Sequence, residues 1–152
     1  MDTPHLLEQK TSVKKPAWQQ LRQILATSKT IAVVGLSDKP DRPNHTDPAY
    51  LQQQGYRIIP VNPNLTQALG EKAYASLRDI PEPVDMVQIF RPSEAVPPIV
   101  EDAIANGAKV IWMQLGIINE AAAARAEAAG LQVVMDTCMG ATHRRLRAQG
   151  EI

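Results

Sequence analysis

The chain holds 152 residues, with 16 Lys and Arg against 16 Asp and Glu, 44% hydrophobic residues and one cysteine. This length suits a single domain, and the neutral balance argues against broad binding to nucleic acid or anionic membranes, which needs a basic excess. One cysteine supports neither an intramolecular disulfide nor a cysteine-based zinc site. No apolar run approaches the roughly 18 residues of a membrane helix, and the start MDTPHLLEQK lacks the basic-then-apolar order of a signal peptide. The expectation is a soluble, reduced, cytoplasmic domain. With one Phe, two Trp and three Tyr, its core must be built from Ile, Val, Leu and Ala, which suits buried parallel strands covered by helices.

Residues 1–15 are polar and aperiodic, and read as a flexible arm ahead of a domain spanning 16–152. A helix is expected from Pro16 to about Ser28, where Trp18, Leu21, Ile24 and Leu25 recur at helical spacing. The apolar run Ile31 to Val34, ended by Gly35, reads as a strand buried on both faces. Four more strands follow at Tyr56–Val61, Val84–Phe90, Lys109–Met113 and Leu131–Met135. Helices are expected between them at Pro48–Gln54, Pro97–Asn106 and Asn119–Ala129, with Gly55, Gly107 and Gly130 as left-handed terminators. The stretch Leu65 to Ile80 reads as a loop with a short strand at Lys72 to Tyr74. Strands alternating with helices imply right-handed βαβ units. The fold class is therefore α/β: a doubly wound, mostly parallel five-strand sheet with helices on both faces.

Ligands of such sheets bind beyond the carboxyl ends of the strands, near the point where strand order reverses. The tips in question are Gly35–Lys39, Val61–Asn62–Pro63, Phe90–Arg91–Pro92, Gln114–Leu115–Gly116 and Asp136–Thr137–Cys138. Ordinary turn chemistry accounts for much of their content. The first turn carries more: Gly35 lets a phosphate approach the backbone, Ser37 offers a hydroxyl, and Lys39 and Arg42 add positive charge or simply a solvated loop surface. No GK[ST] phosphate loop is present, and Gly35 lacks the later glycines of G-x-G-x-x-G. The second strand ends in Val61–Asn62–Pro63, without the carboxylate that binds a ribose hydroxyl pair. A phosphorylated ribose would be repelled by that carboxylate, so its absence favours NADP or coenzyme A over NAD.

The stretches AVVGLSDKPDRPNH (32–45), GYRIIPVNPN (55–64), GEKAYASLRDIPEPVDMVQIFRP (70–92) and GAKVIWMQLGIINEAAAARAEAAGLQVVMDTC (107–138), with His143, carry a family resemblance. Together they resemble the CoA-binding domain family, the Rossmann-like module also found at the N-terminus of the succinyl-CoA synthetase α subunit. The match is to its small stand-alone members and runs from about Trp18 to Leu146. The resemblance implies that the backbone of Gly35, Leu36 and Ser37 faces the CoA pyrophosphate, with Ser37 donating a hydrogen bond. It implies that Pro60, Val61, Asn62 and Pro63 border the adenosine, that Phe90, Arg91 and Pro92 pack near adenine and ribose, and that Gln114, Leu115, Gly116 and Ile117 approach the pantetheine. Lys39, Arg42 and Arg91 then become candidates for the phosphate charges.

In one place the chain departs from the family pattern. Relatives continue after the cysteine with Lys-Ile-Glu-His, whereas this chain reads Met139–Gly140–Ala141–Thr142–His143. Cys138 itself has two readings: a thiol near the CoA thiol, able to exchange through a mixed disulfide, or a small inert residue. His45 either contacts phosphate or caps its helix. His143, Arg144, Arg145 and Arg147 read as a solvated face of a C-terminal helix, with no aromatic residues interleaved. No catalytic set or metal-ligand arrangement is evident. The reading is a binder of coenzyme A or an acyl-CoA acting as carrier, sensor or regulatory module. The alternatives are an NADP(H)-binding redox or sensor protein, and a protein-interaction module using the basic C-terminal helix.

Overall fold

The computed structural model describes residues 17–152, so the expected arm at residues 1–15 lies outside the described residues. Five strands form one parallel sheet: β1 (Thr30–Val34), β2 (Arg57–Val61), β5 (Met86–Ile89), β6 (Val110–Met113) and β7 (Gln132–Val134). Their spatial order is β2-β1-β5-β6-β7. The helices are α1 (Trp18–Thr27), α2 (Pro43–Gln53), α3 (Val96–Asn106), α4 (Glu120–Ala128) and α5 (Met139–Ala148). This is a doubly wound α/β sheet, as the alternation of apolar runs and helices predicts.

Alternate residues of each strand feed two separate cores. Ala32, Val34, Val87, Ile89, Ile111 and Met113 pack with Val96, Val100 and Ala103 of α3 and Ala122, Ala123 and Ala126 of α4. On the other face, Ile31, Val33, Met86, Val110, Trp112 and Val134 meet Leu21, Ile24 and Leu25 of α1, Leu51 of α2, and Met139 and Leu146 of α5. Alanine is the only apolar residue type on α4, and its small side chains Ala122, Ala123 and Ala126 form the buried face of that helix. Its start is fixed by Asn119, whose Oδ1 accepts from the Ala122 N–H at 2.9 Å.

Two local expectations need correction. The segment from Leu65 to Ile80 holds more than a loop with one short strand. It holds a small antiparallel pair, β3 (Gln67–Ala68) with β4 (Glu71–Lys72), and a 3₁₀ turn at Leu77–Asp79. Tyr74, read as the end of a short strand, forms only an isolated parallel bridge to Val61. The second helix begins at Pro43, not Pro48, because Pro43 supplies the favourable first-turn proline and Pro48 is accommodated inside. Pro48 has no N–H to give the carbonyl of Asn44, and that carbonyl instead accepts from the Ser37 N–H at 3.1 Å.

Candidate functional site

Chain connectivity runs from β1 outward to β2 in one direction and to β5 in the other, so strand order reverses at β1. At that point, beyond the carboxyl ends of β1, β2 and β5, lies a cleft of about 760 Å³. Its volume is within the usual range of roughly 300–1,000 Å³ for small-molecule sites. Gly35, Ser37, Val61, Asn62, Pro63, Phe90 and Arg91 all line it.

The turn after β1 owes its shape to one glycine. Gly35 sits at φ +91°, and a Cβ there would lie 3.3 Å from the Phe90 carbonyl and 3.4 Å from Arg91 Cδ. Left-handed backbone and close approach both favour glycine. Leu36 turns the other way and is fully buried in the core beneath α1, α2 and α5. Ser37 returns to the cleft, where its Oγ accepts from the Lys39 N–H at 3.1 Å.

Side chains of neighbouring elements grip this turn. Asn44 Nδ2 donates to the Gly35 carbonyl at 2.7 Å, and Asn62 Nδ2 donates to the Leu36 carbonyl at 2.9 Å. His45 Nδ1 lies 2.7 Å from the Ser37 carbonyl. A carbonyl only accepts, so this ring nitrogen carries the proton. Of the two readings of His45, the geometry supports a structural tie to the turn.

The far wall came from residues the sequence reading passed over: Ser76 and Leu77, with Ile99 and Asp102 from α3. A local signal existed, since Ser76-x-x-Asp79 is a capping box. Ser76 Oγ accepts from the Arg78 N–H, and Asp79 Oδ2 from the Ser76 N–H, each at 3.2 Å. Arg78 Nε then reaches Asp102 Oδ1 at 2.6 Å, closing the wall onto α3. Lys39 and Arg42 are exposed and do not line the cleft, whose lining charges are Arg91, Asp38 and Asp102.

Gln114, Gly116, Ile117 and Cys138 lie outside this cleft lining, at the ends of β6 and β7. Gly116 takes φ +84°, and its N–H donates to Asp136 Oδ1 at 2.7 Å. Ile117 packs on the core beside α3 and α4. Gln114 is buried in a polar network under the start of α5. Its Oε1 accepts from the Met139 N–H at 2.9 Å and from Gln88 Nε2 at 3.1 Å. Gln88 Nε2 also reaches Asp47 Oδ2 at 2.7 Å.

Asp47 Oδ1 in turn accepts from the Gly140 N–H at 2.8 Å and faces the half-buried Cys138 Sγ at 3.5 Å. Burial pushes the Asp47 carboxyl up from its ordinary value, against the opposing pull of Gln88, the Gly140 N–H, Cys138 and Arg144. A Cβ at Gly140 would collide with Asp47 Oδ1. The start of α5 is thus coupled to a carboxylate on α2.

His143 requires a further correction. It does not share the solvated face with its arginine neighbours but is buried with Met139 and Leu146 on the inward side of α5. Its Nδ1 lies 2.8 Å from Tyr50 Oη, and its ring meets Tyr50 and Tyr56 edge-on. Burial pushes the His143 pKa down, helped by Arg147 and Arg144. The exposed arginines also find aromatic partners that are remote in sequence: Arg144 stacks 4.1 Å from the Tyr50 ring centre, and Arg145 4.4 Å from that of Trp18.

The chain is similar to known proteins in sequence and in fold. The uncharacterised protein YneT of Bacillus subtilis is 44% identical over 131 residues, covering 86% of this chain and 97% of YneT. ADP-forming acetate–CoA ligase II of Archaeoglobus fulgidus is 37% identical over 83 residues, which span 53% of this chain but 12% of the ligase. A solved structure of a hypothetical protein from Pyrococcus horikoshii superposes with a TM-score of 0.85 at 38% identity, covering 89% of this chain and 97% of that one. Another, from Thermus thermophilus, gives 0.82 at 41% identity, covering 86% and 99%. The model of the CoA binding domain family matches residues 29–144, and the chain belongs to that family.

Proposed function

We propose that this domain binds coenzyme A or an acyl-CoA in the cleft at the ends of β1, β2 and β5, as a carrier, sensor or regulatory module. One observation carries the reading: the cleft lies at the reversal of strand order and is walled by the glycine turn after β1. Family membership supports the choice of ligand. In this reading the Gly35–Leu36–Ser37 backbone and the Ser37 hydroxyl face the pyrophosphate. Val61, Asn62, Pro63 and Phe90 border the adenosine, and Arg91 serves a phosphate. Lys39 and Arg42, at the exposed rim, add to the local positive field. Gln114, Gly116, Ile117 and Cys138 lie toward the far strand ends, where the pantetheine arm is expected to run.

Isothermal titration with coenzyme A, dephospho-CoA, NAD and NADP tests this proposal. Saturable binding of coenzyme A, weakened for dephospho-CoA and absent for NAD, is the expected result. Binding of NADP in preference to coenzyme A replaces the reading with an NADP-linked one, and no response to any of the four overturns both.

A further inference from the structure

Hydrogen bonds in the turn after β1 are distributed unevenly between its acceptors and its donors. The carbonyls of Gly35, Leu36 and Ser37 are each engaged by a side-chain donor, from Asn44, Asn62 and His45 in that order. Among the N–H groups, Gly35 donates to the Val61 carbonyl, Ser37 to the Asn44 carbonyl and Lys39 to Ser37 Oγ. The N–H groups of Leu36 and Asp38 donate to no other described residue. Three consecutive acceptors are thus occupied, while two donors have no partner among the described residues, and one of these, Asp38, belongs to the cleft lining.

We propose that Asn44, His45 and Asn62 are positioning residues that hold this turn as a preorganised anion receptor for ligands of the pyrophosphate class. The proposal deepens, and rests on, the coenzyme A reading above. Backbone N–H groups fixed in a concave turn attract anions, and fixed dipoles need no reorganisation when the ligand arrives. The grip comes from both sides, Asn44 and His45 from the first turn of α2 and Asn62 from the end of β2. Each grip requires a donor. A carboxylate at position 62 would set its oxygen against the Leu36 carbonyl, which gives the missing ribose-binding carboxylate a cause inside the protein.

The test titrates the full chain with inorganic pyrophosphate, coenzyme A and adenosine, alongside amide hydrogen exchange of residues 35–38 by NMR. Asn44→Leu, Asn62→Leu and His45→Phe remove one donor each without adding charge; Asn62→Ser and His45→Gln retain a donor. Loss of a donor is expected to raise Kd for pyrophosphate and coenzyme A about tenfold or more. Adenosine binding is expected to hold in the Asn44 and His45 variants, and exchange at residues 36–38 to quicken in all three. His45→Gln is expected to recover most of the affinity, and Asn62→Ser keeps the test open if Asn62→Leu fails to fold. Donor-free variants that bind pyrophosphate like the native protein overturn the proposal. A native protein that binds pyrophosphate but not coenzyme A upholds the receptor and overturns the coenzyme A reading, whereas one that binds neither overturns both.

Discussion

Tyr50 Oη and His143 Nδ1 lie 2.8 Å apart and join α2 to α5 across the sheet's second face. The imidazole sits between two tyrosine rings, with Arg144 and Arg147 as its charged neighbours. Its folded pKa lies below the unfolded value of about 6.5. The stabilising contribution is therefore complete above that value and is lost as pH falls through the folded pKa. Thermal melts between pH 8 and pH 5 are expected to show a larger fall in the native protein than in His143→Phe. Parallel curves would remove His143 from the pH dependence.

Asp47 works with the opposite sign. Its folded pKa is raised, so its contribution is present below the unfolded value of about 3.9 and is lost as pH rises through the folded pKa. Asp47→Asn is expected to flatten that part of the stability profile, checked by denaturant unfolding from pH 3.5 to pH 7.

Gly140 and Asp47 should be energetically inseparable. Gly140→Ala alone forces a Cβ into the Asp47 carboxylate and is expected to cost about 1–3 kcal/mol. In an Asp47→Ala background the same change keeps only an ordinary contact with Tyr50 Cδ2 at 3.7 Å and gains helix propensity, up to about 1 kcal/mol. A double-mutant cycle by urea unfolding measures the coupling, and additive effects would show that the two do not meet.

Adjacent residues of the first turn are expected to separate folding from binding. Leu36 is fully buried, so Leu36→Ala should cost about 2–5 kcal/mol. Ser37→Ala leaves the core intact and should lower affinity for coenzyme A while the melting midpoint holds. Calorimetry of both variants settles whether the turn divides its roles in this way.

Gly35→Ala combines the two effects. At φ +91° a side chain costs about 1–2 kcal/mol, and its Cβ presses on the Phe90 carbonyl. Unfolding should register that penalty, and titration should register weaker ligand binding.

The sheet was legible because each long strand is a continuous or nearly continuous apolar run closed by a polar or Gly/Pro-bearing tip. Ile31 to Val34, with Gly35, is the clearest instance. The pair β3 and β4 was not legible, because two-residue strands have no period to detect. His143 was misplaced for a different reason. Helical spacing aligns it with Met139 and Leu146, but the run Arg144–Arg145 beside it outweighed that pattern in the reading.

Half of the candidate cleft wall was readable from strand tips. The other half includes Ser76 and Asp102, which are remote in sequence and come to line one cleft only after α3 packs. The polar network around Asp47 was hidden because Gln88 lies within an apolar strand and the other members of the network, Asp47, Gln114 and Gly140, come from three other segments.

Pro48 invites a last consequence. Its ring leaves the Asn44 carbonyl without an intrahelical donor, and the Ser37 N–H takes that place. Pro48→Ala would restore a rival N–H to the same oxygen. Faster hydrogen exchange at Ser37, together with a more stable α2, is the expected pairing. Perfecting the helix and loosening the turn are then one event, decided by competition at a single oxygen atom.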